Sequence, residues 1–445
     1  MSERSNPARW EAPEPEWRGS RKLSPALLLA CLALTFSGAQ GFLGNPGELV
    51  RVIPVVQFCF AALVGFIAAP VARRRFIGAS VVYIWFLCFL LLVGVMPTVS
   101  SFYGSERATM YGSLMVVVLI CARALLSEIG LYGVLRALYF ALAIIIPVVV
   151  AATLPEFIAA LSSGRYSPFG FHPNAIAGMA ALVVPMHVWL GPRRKAWRLV
   201  CLALAGLCLA VILATGSRGG VIAVVLALLL GTTLSGLGKG GVRMSWAKWL
   251  TILIVVLAML VALIVLPGTN SYERATNYLT KKMALDSADR GINSGMSGRT
   301  KIWTSFLPVL LENLTLFGHG YRTTGEDVAG AVDNGYLTNT YELGVIPVCL
   351  IVGCYLFNLV RVIRLLFRDG TRGKSCLLTY ACLIFLILAS SVIGRGLFSY
   401  GDPLSIVALC LLVSADFDYR EFRGVADETV QVPDLPRLEN PATSL

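Results

Sequence analysis

The chain has 445 residues, of which 57% are apolar and only 14% charged, with a mean hydropathy of +0.75. Soluble domains carry about 25% charged residues, so composition excludes an ordinary soluble globular protein. The formal net charge of +12 would suit a nucleic-acid binder, but its distribution along the chain argues for membrane topology instead.

A helix needs about 20 apolar residues to cross a bilayer. Runs of that length recur, and the short alternating segments of a β-barrel are absent. The predicted class is therefore an all-α, polytopic integral membrane protein. Residues 1–22 are polar, with Pro7, Pro13 and Pro15, and read as a tail. The first apolar run, about 23–43, has the basic flank of a signal peptide, but its length favours an anchor. Further spans follow at about 50–69, 77–97, 109–126, 134–154, 174–191, 199–215, 219–235 and 249–267. A long polar interval, 268–335, precedes spans at about 336–358, 376–394 and 403–415, and a polar tail covers 416–445. The expectation is one transmembrane domain over 23–415 with about twelve helices and both termini on the same side.

These spans put 25 of the 37 basic and 13 of the 25 acidic residues on one side of the membrane, leaving 12 of each on the other. The whole excess lies on one face, which the positive-inside rule makes cytoplasmic. Nucleic acid is thereby set aside as a partner. The loop 268–335 then faces outward. Loops of that length in a compact protein carry function or disorder. This one contains aromatics and an apolar inner segment, Ile302 to Phe317, and reads as ordered in part. The 11 cysteines lie in or beside apolar runs without a CxxC pair and read as small packing residues.

Four outer-face features have chemical potential. Arg218 sits in the turn Thr215-Gly216-Ser217-Arg218-Gly219-Gly220 between two spans. A charge there must face protein or water, and the glycines let a bulky ligand approach the backbone. The competing reading is an arginine snorkelling to headgroups. Arg299 opens a helix predicted to run to about Asn313, capped by Ser294 or Ser297, with Ile302, Phe306, Val309 and Leu310 on one stripe. It lies in the interface, and its first turn attracts anions. Asp333-Asn334-Gly335-Tyr336 ends the loop, with Glu342 two turns on. Its carboxylate suits a general base, while Asn-Gly alone is an ordinary turn. Phe169-Gly170-Phe171-His172-Pro173-Asn174 enters the sixth span with a helix-start pattern. His172 is a site residue or merely interfacial. The three histidines, His172, His187 and His319, are scattered, and metal-ligand spacings, nucleotide loops and dinucleotide fingerprints are all lacking.

In this order, FGFHPNAIAGMAALVVPM, ATGSRGGVIAVVLALLL, SGRTKIW, LFGHGY and DNGYLTNTYELGVIP resemble the O-antigen ligase and polymerase superfamily of bacterial inner-membrane glycosyltransferases. The resemblance covers about residues 165–360. It implies a donor glycan linked through diphosphate to undecaprenol, an acceptor sugar hydroxyl at the periplasmic face, and no metal or other cofactor. Arg218 matches the family's arginine turn and Arg299 its loop arginine. Arginines can clamp a diphosphate bidentately and stabilise charge developing on it.

Asp333 stands where ligases that cap lipid A core have the His of a His-Asn pair. Free Asp titrates near about 3.9 and His near about 6.5, so Asp333 is the weaker base unless burial raises it. The departure favours a polymerase of O-antigen or exopolysaccharide repeat units over a ligase using lipid A core. The expected catalytic set is Asp333, Arg218 and Arg299. Arg395, His172, Asn174, Asn334, Tyr336, Trp303 and Arg322 are expected to bind substrate. Besides the donor, acceptor and membrane lipids, a chain-length regulator or flippase of the same pathway is an expected partner. The rivals from other classes are a transporter or flippase, in which repeats and midplane charges are usual, and an inactive scaffold for polysaccharide assembly.

Overall fold

The computed structural model describes residues 130–162, 165–170, 173–190, 195–237, 299–319, 332, 334–367, 374–392, 394, 397, 407–408 and 411–412. The predicted spans before residue 130, the ninth span, both tails and much of the long loop lie outside the described residues.

The described elements are helical, in the order α1 (Gly130–Ala152), α2 (Leu154–Ser162), a single 3-10 turn (Pro168–Gly170), α3 (Pro173–Leu190), α4 (Lys195–Ala214), α5 (Arg218–Leu237), α6 (Arg299–Glu312), α7 (Gly335–Leu343), α8 (Val345–Phe367) and α9 (Lys374–Ser390). Among the described residues, four stretches are long and apolar enough to cross a membrane: Leu131–Ala152, Pro173–Leu190, Arg218–Gly236 and Val345–Phe367. Leu199–Ala214 and Lys374–Ser390 are shorter apolar helices packed among them.

Helix α3 is the centre of the bundle. It is apolar around most of its circumference, and thirteen of its eighteen residues are buried, as expected of a helix surrounded by others. Helices α1, α4, α5 and α9 pack around it. In α9, eleven of seventeen residues are buried, Tyr380 among them, whose hydroxyl donates to the Leu411 carbonyl at 2.9 Å. Helix α8 differs. It buries Ile351, Tyr355, Val362 and Leu366 along one stripe and exposes Leu356, Phe357 and Val360 on another.

Small residues set the register. A Cβ on Gly220 would lie 3.3 Å from the Ala177 Cβ, and one on Gly231 would overlap the Trp189 ring and come within 2.7 Å of the Cys382 sulfur. Ala177 and Trp189 follow each other along α3 as Gly220 and Gly231 do along α5, so these two helices run parallel. Their first turns, the end of α4 and the turn between α4 and α5 therefore lie at the same end of the bundle.

Two expectations are corrected. The tenth span, expected from about 336, is two helices broken at Gly344, whose φ of 91° and ψ of 171° are closed to other residues in practice. Its membrane-length part begins at Val345. The connection left between the expected spans 134–154 and 174–191 opens with the helix α2, separated from α1 only by the turn at Thr153. Pro155 stands in its first turn, where a missing N–H costs nothing.

Candidate functional site

The polar layer is assembled from three pieces. The first is the turn before Arg218. Thr215 closes α4, donating its amide to Val211 O at 2.9 Å and its hydroxyl to Ile212 O at 2.7 Å. Gly216 takes φ 61°, the left-handed conformation for which glycine is suited. The Ser217 amide donates to Thr215 Oγ1 at 3.3 Å, and Ser217 Oγ accepts from the Gly220 amide at 3.2 Å. This is a serine cap on α5, and Arg218 is the first residue inside it, half-buried.

The second piece is the strap 165–170, which crosses that turn. The Tyr166 amide donates to Ala214 O at 2.9 Å, its hydroxyl meets Thr153 Oγ1 at 2.7 Å, and its ring stands edge-on to Phe157 at 5.2 Å. Burial raises the Tyr166 phenol above its ordinary value and the Glu156 charge adds to this, while the bond to Thr153 opposes both. Arg165 donates from Nε to Thr215 O at 2.9 Å and, over a longer 3.5 Å, from a terminal nitrogen to Asn174 Oδ1 in the first turn of α3. Four residues on, Phe169 has φ 52° and ψ 30°. Left-handed backbone at a bulky residue is uncommon and marks strain held by its surroundings.

The third piece joins α6, α7, α8 and the end of α9. Asn334 caps α7, its Oδ1 accepting from the amides of Tyr336 and Leu337 at 3.0 Å each. The Gly335 amide is shared between Ser391 O and Gly394 O, both at 2.7 Å, and a Cβ there would lie 3.0 Å from Gly394 O. The Tyr336 hydroxyl donates to Leu388 O at 2.8 Å, and burial raises its pKa. The loop end is thus fixed to the segment after α9.

Helix α6 buries Phe306 and Leu310 against Val332 and Tyr341, with Trp303, Val309 and Leu337 around them. Phe306 meets the Tyr341 ring edge-on at 5.7 Å. Arg299 is the first residue of this helix and half-buried. After α6 the chain runs backbone to backbone along Glu342–Gly344. The amides of Val345 and Ile346, unmatched within α8, donate to Thr315 O and Leu316 O at 3.2 Å, and the His319 amide donates to Tyr341 O at 3.0 Å. Both glycines at the crossing have positive φ, 65° at Gly318 and 91° at Gly344. A Cβ on either would run into the other strand's main chain. His319 is 2% exposed, its Nε2 lies 2.7 Å from Asn313 O, and its ring lies against Tyr341 at 4.5 Å. Glu342 is likewise buried.

Of the expected site residues, Arg218 and Asn174 are brought together through Arg165. Asn334 and Tyr336 are fixed on the end of α9, and Arg299 and Trp303 share α6. Asp333, His172, Arg322 and Arg395 lie outside the described residues. Asn334 has a structural duty as a cap, and Trp303 packs on the α6–α7 cluster. Sequence reasoning missed Arg165. The available signal was a basic residue in a stretch that the sequence places on the side expected to have no basic excess. Among the described residues, no group of three or more His, Cys, Asp or Glu side chains is placed to hold a metal.

Residues 203–352 match a family model described as O-antigen ligase. The matched stretch begins in α4 and ends in α8, taking in Arg218, Arg299, Asn334 and Tyr336. It supports the resemblance to the O-antigen ligase and polymerase superfamily and, with it, a role of the O-antigen ligase or polymerase type. Members of that family are glycosyltransferase-like enzymes, and the apolar helices agree with a membrane protein. No curated protein matches the chain.

Proposed function

We propose that the protein is a periplasmic-face glycosyltransferase of the bacterial inner membrane. It polymerises undecaprenyl-diphosphate-linked repeat units of O-antigen or an exported polysaccharide. One observation carries this reading: a single family match spans both outer-face arginines and the Asp333-Asn334 pair. In the reaction, an acceptor hydroxyl oxygen attacks the anomeric carbon of the donor sugar. The bond from that carbon to the diphosphate oxygen breaks, undecaprenyl diphosphate leaves, and Asp333 takes the hydroxyl proton. Arg218 and Arg299 hold the diphosphate and stabilise its growing charge, with Arg395 and Arg322 as further cations. Tyr336 and Trp303 supply aromatic surface for sugar, and His172, Asn174 and Asn334 are further candidates for binding substrate.

The family description favours a second reading, a ligase that transfers the finished glycan to lipid A core. Purified full-length protein in vesicles is given undecaprenyl-diphosphate-linked repeat units with and without lipid A core. A ladder of products without lipid A core is the expected result. A shift that appears only with lipid A core selects the ligase. Absence of product, with movement of the lipid-linked glycan across the vesicle, overturns both in favour of transport. Arg218→Ala is expected to lower turnover by about 10²–10³-fold without loss of folding.

A further inference from the structure

The strap 165–170 is built to a standard that an idle connection does not need. Tyr166 is fully buried and bonded at both its amide and its hydroxyl, so the backbone that carries Arg165 has little freedom. Arg165 then spends its Nε–H on the carbonyl that closes α4. The last carbonyls of a helix lack partners inside it and bear its negative dipole end, so a guanidinium there is favourably placed.

From Thr215 a short series of bonds runs to the next helix. Thr215 Oγ1 holds the Ser217 amide, Ser217 Oγ holds the Gly220 amide, and Arg218 lies between those two residues. The same guanidinium reaches Asn174 in α3, at 3.5 Å. Its planar fork suits two acceptors at a fixed angle.

We infer that Arg165 is a positioning residue for Arg218: it ties the α4–α5 turn to the start of α3 and so fixes the direction in which Arg218 meets a diphosphate. This rests on the reading of Arg218 as a diphosphate ligand. Arg165 acts through Thr215 and the turn, and its loss is felt by the anion rather than by the lipid chain.

The test uses detergent-purified full-length protein and two probes, undecaprenyl diphosphate and undecaprenol. Arg218→Ala is expected to weaken diphosphate binding by about tenfold or more, and Arg165→Ala by about fivefold. The double variant is expected to bind no more weakly than Arg218→Ala alone, because the two losses share one path. Undecaprenol affinity is expected to stay at the wild-type level throughout, which a merely unfolded or loosened bundle would not give.

Wild-type diphosphate affinity in Arg165→Ala, beside a weakened Arg218→Ala, overturns the inference and leaves the function intact. Losses that multiply in the double variant overturn it too, since Arg165 would then act on its own. Unchanged affinity in Arg218→Ala overturns the parent reading of that residue and the inference with it. Where Arg165→Ala does not fold, Arg165→Lys keeps the charge but not the fork. A partial loss of affinity is expected, and full affinity overturns the inference.

Discussion

Gly344→Ala tests the crossing that fixes α6 to α8. At φ 91° and ψ 171° the backbone of residue 344 is in a region used almost solely by glycine, and an alanine held there stores about 1–3 kcal/mol. Its Cβ would also run into the main chain at Leu316 and Gly318. Main-chain atoms cannot swing aside as a side-chain tip can, so the two segments must separate. Separation breaks the bonds from Val345 to Thr315 and from Ile346 to Leu316, worth about 1 kcal/mol each. The expected cost is about 3–5 kcal/mol, concentrated at the crossing. Hydrogen exchange on the purified full-length protein reads it directly. The amides of 319, 345 and 346 should lose about two to four orders of magnitude of protection, while those of α3 keep theirs. Gly353→Ala is the control. That residue is in α8 with nothing within 4 Å of an added Cβ, and the change should be neutral or stabilising by up to about 1 kcal/mol. If Gly344→Ala and Gly353→Ala exchange alike, the crossing does not hold these elements together and the reasoning fails.

Two further changes probe the frame of the site. Asn334→Ala removes a side chain that satisfies two amides at the start of α7 and should lower stability by about 1 kcal/mol, whereas Asn334→Asp keeps the cap. Thermal unfolding of the two variants side by side checks this, and equal midpoints for Asn334→Ala and wild type would contradict it. Gly231→Ala places a methyl group into Trp189 and Cys382 where α5, α3 and α9 meet. It should cost about 1–3 kcal/mol by overpacking, seen as a lower unfolding midpoint. A midpoint unchanged from wild type would mean that the helices stand farther apart than described.

The sequence made the helices legible where a period or a run marked them. The stripe Ile302, Phe306, Val309 and Leu310 predicts a helix to about Asn313, and α6 runs Arg299–Glu312. Thr215-Gly216-Ser217 reads as a tight turn and is one. The break at Gly344 was hidden because hydropathy sums transfer preference and is blind to φ, so the run through Glu342-Leu343-Gly344-Val345 looked continuous. Helix α2 was hidden because nine residues give a weak period inside a stretch rich in loop formers. Arg165 was hidden for another reason. Its partner Thr215 is 50 residues away, and only the packing of α4 beside α2 and α3 brings them together. Local pattern contains no trace of such a pair.

Several of the acceptors that orient the polar layer are of one kind. Arg165 is held by the Thr215 carbonyl, Gly335 by those of Ser391 and Gly394, Tyr336 by that of Leu388, and the start of α8 by those of Thr315 and Leu316. These are main-chain carbonyls, which neither gain nor lose a proton in any ordinary pH range. A frame built on carboxylates would loosen as the medium acidified, whereas this frame keeps its bonds. Protection of the amides at 335, 345 and 346 against exchange, corrected for the intrinsic pH dependence of exchange, should therefore stay level as the medium acidifies, and a loss of protection at these amides would contradict the reasoning.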